Sequence, residues 1–306
     1  MHTLTLATLG LLLANLCASG SARAQAPVPP PRAANPPVLI AMPDAGLRGA
    51  FEAANRGTLD AATLAAYSSQ PLAGWLQYAA LRKELATLPT DRGGSFLARH
   101  RGQPVAEAFR NDWLAALAKR QEWAAFLSAW NDRVEQPALR CAQLEARRAL
   151  GRYDERWTHD AQALWRSSGK SLPDACDPSF TQLATQGGLS PSLRWERIEL
   201  AAAEGQPAVI RAIARGFSGD DAAQANAYAA FIDAPVAEVD GWPKTARSRL
   251  VASHGLAKLA KTAPDRAEAL LPGIASVLGF NDTERGRVLH PIALWTVASY
   301  LPESAR

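Results

Sequence analysis

From about Asp44 onward, apolar residues recur at intervals of three and four, and Gly, Pro, Asn or Asp interrupts the pattern roughly every 12 to 20 residues. That spacing puts one apolar stripe on each of a succession of helices, and it leaves little room for anything else. Leu72, Trp75, Leu76, Ala79 and Ala80 share a helical face in a stretch closed by Leu88-Pro89. Phe109, Trp113, Ala116 and Leu117 repeat the arrangement, as do Trp123, Phe126, Leu127 and Trp130. Further helices are predicted from Leu139 to Leu150 and from Trp157 to Trp165, separated by a short turn at Gly151. No alternating strand pattern of useful length occurs, and abundant alanine disfavours sheet. The predicted class is all-α.

The connections say how the helices are arranged. Ala149-Leu150-Gly151-Arg152-Tyr153-Asp154-Glu155 resembles the turn between the two helices of a tetratricopeptide-type repeat, with Gly permitting the tight turn and Leu150 and Tyr153 expected to pack between the helices. Arg194 to Ala201, ending at Gly205-Gln206-Pro207, follows the same grammar with different letters. The helix pairs are too irregular for a strict repeat of about 34 residues. The expected architecture is an irregular, TPR-like α-solenoid or superhelix of helical hairpins, one extended domain over residues 44–306, in which neighbouring pairs bury each other's apolar faces.

Ahead of this domain the chain changes character twice. Leu4 to Leu16 is an apolar run followed by small and polar residues and Ala22-Arg23-Ala24. At about 1.5 Å per residue the run is too short to cross about 30 Å of hydrocarbon, so it reads as the core of a signal peptide over residues 1–24, with no transmembrane segment in the mature chain. Lipid attachment at Cys17 is disfavoured by the bulky Leu16 before it. Residues 25–43 hold seven of the 21 prolines and read as a Pro-rich linker. Export to the periplasm follows, and the mature chain keeps two cysteines, Cys141 and Cys176. An oxidising compartment favours a disulfide between them, which in the chain-entropy view would stabilise by about 3–4 kcal/mol; two buried free thiols are the alternative.

Few chemistries have a motif here. The five histidines are scattered, with no H-E-x-x-H and no pair at i, i+4, and the two cysteines lack the partners of a zinc site, so no metal is expected. The sequence lacks G-x-S-x-G, the Walker A loop and G-x-G-x-x-G, so no cofactor is expected. Lys and Arg total 33 against 29 Asp and Glu, with no basic run longer than two, which excludes a nucleic-acid footprint. Acidic residues mostly sit near arginines at helix-surface spacing: Glu145 near Arg147 and Arg148, Glu196 near Arg194 and Arg197, Glu284 beside Arg285. They read as solvated faces rather than as the paired carboxyls of glycoside chemistry. Trp75, Trp113, Trp123, Trp157, Trp165 and Trp195 fall at core spacing, while Trp242, in Asp240-Gly241-Trp242-Pro243, could be a wedge between helix pairs.

Four stretches nevertheless resemble, in order, the N-terminal helical superhelix of soluble lytic murein transglycosylases. They are Leu72 to Arg82; Phe96-Leu97-Ala98-Arg99 through Trp123 to Leu127; Ala138-Leu139-Arg140-Cys141 through Trp165 and on to Gly169 to Asp177; and Pro191 to Ile198. The resemblance spans roughly residues 44–300. It implies that Cys141 and Cys176 are bonded, as their counterparts are in that family, and that peptidoglycan glycan strands are the partner. The family cleaves the β-1,4 bond between N-acetylmuramic acid and N-acetylglucosamine without water, one glutamic acid protonating the leaving oxygen as a 1,6-anhydro ring closes. That acid belongs to a C-terminal lysozyme-like domain bearing Glu-Ser, Gly-Leu-Met-Gln and Ala-Tyr-Asn-Ala-Gly motifs. Neither longer motif occurs, and the one Glu-Ser, Glu303-Ser304, lies two residues before the end, so no catalytic residue is carried over.

The expectation is therefore a peptidoglycan-associated scaffold without its own catalytic centre, whose partner would be a missing catalytic half. The alternative is a TPR-like protein-interaction module binding other envelope proteins. An enzyme on an α/α scaffold with unrecognised carboxylates is a third reading. The apolar segment Ile292 to Leu301 suggests that this end associates with a continuation or with another chain.

Overall fold

The computed structural model describes residues 45–298; the expected signal peptide and Pro-rich linker lie outside the described residues. Among these residues there are fifteen α-helices and no strand, and no helix is long and apolar enough to cross a membrane. The first group is α1 (Ala45–Arg56), α2 (Ala61–Ala66), α3 (Ala73–Leu81) and α4 (Thr90–Arg99). The middle of the chain forms α5 (Pro104–Lys119), α6 (Trp123–Ala129), α7 (Pro137–Ala149), α8 (Glu155–Trp165) and α9 (Asp177–Thr185). The rest comprises α10 (Pro191–Ala203), α11 (Pro207–Ala214), α12 (Gly219–Asp233), α13 (Ala246–Ala260), α14 (Pro264–Leu278) and α15 (Asp282–Ala298).

Local chemistry sets most of the boundaries. Six helices, α5, α7, α9, α10, α11 and α14, have Pro in the first two positions, where the missing amide hydrogen costs nothing and the fixed φ suits a helix. Asp60, Asp154, Ser190 and Thr245 cap α2, α8, α10 and α13 by accepting a backbone amide of the first turn. Gly151 and Gly205 leave α7 and α10 with φ of 71° and 65°, the left-handed conformation that a side chain resists. The other part of that turn reading needs correction. Leu150 and Tyr153 are 39% and 45% exposed, because the turn after α7 points them outward; Tyr153 meets Trp157 edge-on.

Four hydrophobic cores follow one another in chain order. Leu47, Ala50, Ala54 and Leu76 make the first, and the second runs from Leu88 to Ala146 around Phe109, Trp113 and Phe126. The third spans Cys141 to Val251 around Trp157, Trp165, Trp195 and Tyr228; the fourth joins Phe231 to Ile292. Single helices serve two neighbouring cores. From α7, Leu139, Ala142 and Ala146 enter the second while Cys141 and Leu144 enter the third. From α12, Tyr228 and Ile232 face the third and Phe231 the fourth. Sharing between successive layers is what makes a stack of helices an α-solenoid.

Aromatic side chains tie the layers together. Trp157 Nε1 donates to the Leu144 carbonyl at 2.9 Å, and Trp165 Nε1 donates to Leu193 at 3.0 Å, crossing from α8 to α10. At the same seam the buried Arg197 guanidinium lies 4.2 Å from the Trp165 ring centre; burial pulls its pKa down to about 10. Trp242 does act as a wedge, packed edge-on against Tyr228 and Phe231 where the third and fourth cores meet. Trp75, expected in the core, is instead 37% exposed on the thin first layer.

Candidate functional site

An open groove of about 590 Å³ lies between α6, α7 and α8. Two helical stripes make its walls. On α7, Arg140, Gln143, Leu144 and Arg147 follow the i, i+3, i+4, i+7 spacing that keeps side chains on one face; on α8, Arg156, Asp160 and Leu164 follow i, i+4, i+8. Leu127, Trp130 and Val134 close the side toward α6. Trp130 is half-buried, with its ring stacked on Phe126 at 5.8 Å.

Arg147 fixes the base of the groove. It is buried, and its Nη1 donates to Asp160 Oδ2 at 2.7 Å while Nη2 donates to Asp154 Oδ1 at 3.1 Å. A buried guanidinium is tolerated because two carboxylates surround it. Asp154 also accepts the Trp157 amide at 2.9 Å as the cap of α8; that bond first, and the Arg147 charge after it, hold its carboxyl below the ordinary range. The remaining guanidinium groups, Arg140, Arg152 and Arg156, are exposed at the rim, and neither a hydrogen bond nor an ion pair engages them. Guanidinium forks present paired donors, a geometry that matches a carboxylate.

Cys141 on α7 and Cys176, in the single 3-10 turn before α9, are both buried and joined in a disulfide, with Cα atoms 4.7 Å apart. The bond pins the loop after α8 back onto α7, behind the groove wall. The carboxylates singled out in the sequence sit as follows. Glu145 accepts two hydrogen bonds from Arg148, and Glu196 pairs loosely with Arg166. Glu284 departs from the solvated-face reading: it is buried, accepts the Asn281 amide at the start of α15 and faces Arg249 at 3.6 Å. The carboxyl groups that shift, Asp60, Asp154 and Asp233, all shift down, the direction opposite to a proton-donating acid. Among the described residues no group of three His, Cys, Asp or Glu could hold a metal.

The groove escaped the sequence reading because its charges come from three separate elements. The signal present was Arg140 and Arg147 two turns apart on one helix, with Arg152 and Arg156 following at once.

No protein-family model matches the chain. It is similar to the soluble lytic murein transglycosylase of Escherichia coli strain K12, 25% identical over 230 residues, which cover 74% of this chain and 35% of that protein. The protein of the same description from Salmonella typhimurium is 24% identical over the same length. The chain thus spans about a third of the length of these curated relatives. Among solved structures, the 70 kDa soluble lytic transglycosylase from Escherichia coli superposes with a TM-score of 0.71 at 21% identity, over 85% of this chain and 42% of that one. A complex of the 70 kDa soluble lytic transglycosylase with bulgecin A gives 0.69 at 22% identity over 82% and 41%, and an inactive mutant of the Pseudomonas aeruginosa lytic transglycosylase Slt gives 0.59 at 23% over 86% and 43%. The all-α superhelical fold expected from the periodicity is the fold of these neighbours.

Proposed function

We propose, from the homology of this chain to soluble lytic murein transglycosylase, that residues 45–298 form the peptidoglycan-binding scaffold of an exported, periplasmic enzyme of that type. The bond-cleaving acid is assigned to a lysozyme-like domain outside these helices. The observation that carries the reading is the sequence similarity over 230 residues, accompanied by the same helical fold. A scaffold of this kind would use binding energy gathered far from the broken bond to position the glycan strand at the reacting centre. The Cys141–Cys176 bond then belongs to a protein that matures in an oxidising compartment.

The test is sedimentation of the purified mature chain with insoluble peptidoglycan sacculi, followed by mass spectrometry of the supernatant. Retention on sacculi without release of 1,6-anhydromuropeptides is expected. Release of those products would place the acid within this chain, and failure to co-sediment would overturn the wall-binding reading. Non-reducing peptide mapping of exported protein should recover the Cys141 and Cys176 peptides linked.

One observation favours the second reading, a protein-interaction module. Leu289, Leu294, Trp295 and Val297 of α15 are all more than a third exposed, an apolar face that a neighbouring protein could cover. That reading predicts saturable binding to an envelope protein that Leu294→Ser with Val297→Ser abolishes while retention on sacculi is unchanged.

A further inference from the structure

We propose that the groove between α6, α7 and α8 binds the peptide stem of peptidoglycan through its carboxylates, rather than the sugar chain. This rests on the wall-binding reading above and sharpens it to a site and a chemical class.

The first argument is charge. Of the four arginines in the groove, Arg147 is already neutralised by Asp154 and Asp160. Arg140, Arg152 and Arg156 hold no partner, and the only other acid in the lining, Asp132, offsets one of them. Arg92, Arg148, Arg211 and Arg247 each lie within 3.0 Å of a carboxylate oxygen, whereas Arg48, Arg99 and Arg215, like the groove's three, are in no ion pair; what distinguishes the groove is that three such groups line one concavity. Over the whole lining, four arginines against three aspartates leave one net positive charge, and three guanidinium groups keep their donors free around one concavity, which suits a ligand with more than one carboxylate.

The second argument is layout. Seven residues separate Arg140 from Arg147 along α7, about 10 Å at the helical rise. Arg152 and Arg156 sit at the turn where α7 gives way to α8, beside Arg147, whereas Arg140 sits at the opposite end of α7. The positive groups thus lie at the two ends of a trough, with the Gln143 amide and the Leu127, Leu144 and Leu164 side chains between them. An extended peptide advances about 3.3 Å per residue, and the free groups Arg152 and Arg156 lie past Arg147, so the two ends are at least about three residues apart. A short peptide with a carboxylate at each end of such a span, and small apolar groups between, fits the trough. Peptide stems of the wall polymer have this chemistry; unmodified sugar rings offer hydroxyl groups and no such charge.

The third argument is rigidity. The base does not need to form on binding, because Arg147 already bonds α7 to the cap and the second turn of α8, and Trp157 bonds α8 back to the Leu144 carbonyl. A wall held in place before the ligand arrives loses less freedom on association.

Fluorescence anisotropy on the full mature chain tests this with three labelled probes: a disaccharide-tetrapeptide muropeptide, the same muropeptide with its carboxyl groups amidated, and a peptide-free glycan oligomer. Saturable binding of the first is expected, weakened about tenfold by amidation or by Arg152→Ala with Arg156→Ala, and several-fold by Arg140→Ala and by raising the salt. These arginines are exposed, so circular dichroism and the melting temperature should stay at the parent values. Equal binding of the peptide-free glycan, untouched by the variants, overturns the inference and leaves the scaffold reading standing. An unrelated acidic L-peptide of the same length and charge that binds as tightly also overturns it, since the groove would then read protein carboxylates. No muropeptide binding, with sacculi still retained, sinks this site alone; loss of both sinks the parent reading.

Discussion

The first and third layers of the stack are built from the same kind of amphipathic helix and end up held very differently. Around α1–α3 the buried set is two leucines and two alanines, α2 buries no residue, and Trp75 leaves much of its ring in water. Around α7–α13 three tryptophans and a tyrosine are buried, two indole N–H groups donate to carbonyls of neighbouring helices, and the disulfide closes a 35-residue separation. The difference teaches that in a stacked fold a layer's stability comes from its neighbours. A terminal layer has fewer of them, and the aromatic side chains are spent where two layers must be joined.

The sharpest way to break that comparison is to remove one aromatic from the joined layer. Trp157→Ala should lower stability by about 3–5 kcal/mol in urea denaturation and loosen α7 to α10 together, since it removes both a fully buried ring and the bond to Leu144. Leu76→Ala should leave hydrogen-exchange protection beyond Thr90 intact and erase it only over residues 45–81. Equal loss of protection along the whole chain in both variants would show that the layers do not differ. Next in size is the crosslink: Cys141→Ala should cost about 3–4 kcal/mol for a loop of this length, read from the shift in denaturation midpoint against the disulfide-bonded parent, and the reduced parent should match the variant.

A smaller loss is expected at Gly169, buried in the loop after α8, where a Cβ would run into the Leu200 carbonyl of α10. Backbone must shift to admit it, so Gly169→Ala should destabilise by about 1–3 kcal/mol by thermal melting. In the fourth layer the effect is one of pH. His254 has its pKa lowered from 6.5 to about 4, by burial first and by the nearby Arg287 charge second. The unfolded chain therefore takes up the proton at a higher pH than the folded one. Stability should be full above pH 6.5 and fall as the pH drops toward 4, and His254→Gln should flatten that part of the curve. The smallest effect runs the other way. A Cβ at Gly49, exposed within α1, meets nothing, so Gly49→Ala should stabilise the thin first layer by about 0.5–1 kcal/mol, visible as slower exchange in α1.

How far the sequence could be read depended on the distance over which each feature is decided. The helices, their Pro-led starts and the turns at Gly151 and Gly205 depend on residues within a few positions of one another, and the structure has them where the periodicity put them. Leu150 and Tyr153 show where that reasoning stops: both are apolar residues beside a tight turn, and only the direction in which α8 leaves the turn sends them to solvent. Glu284 shows the reverse. An acid among charged neighbours reads as surface until α13 brings Arg249 across and the Asn281 amide turns back onto it.

The spacing of apolar residues and the placement of Pro and Gly by themselves determined an all-helical chain with short connections, because helix propensity, capping and the left-handed turn act through the backbone locally. Which side of each helix is covered, which arginines keep a carboxylate and which are left facing an open trough was decided only when α6, α7 and α8 packed together. Burial and ion pairing depend on the distance between side chains far apart in the chain, and that distance is set by packing.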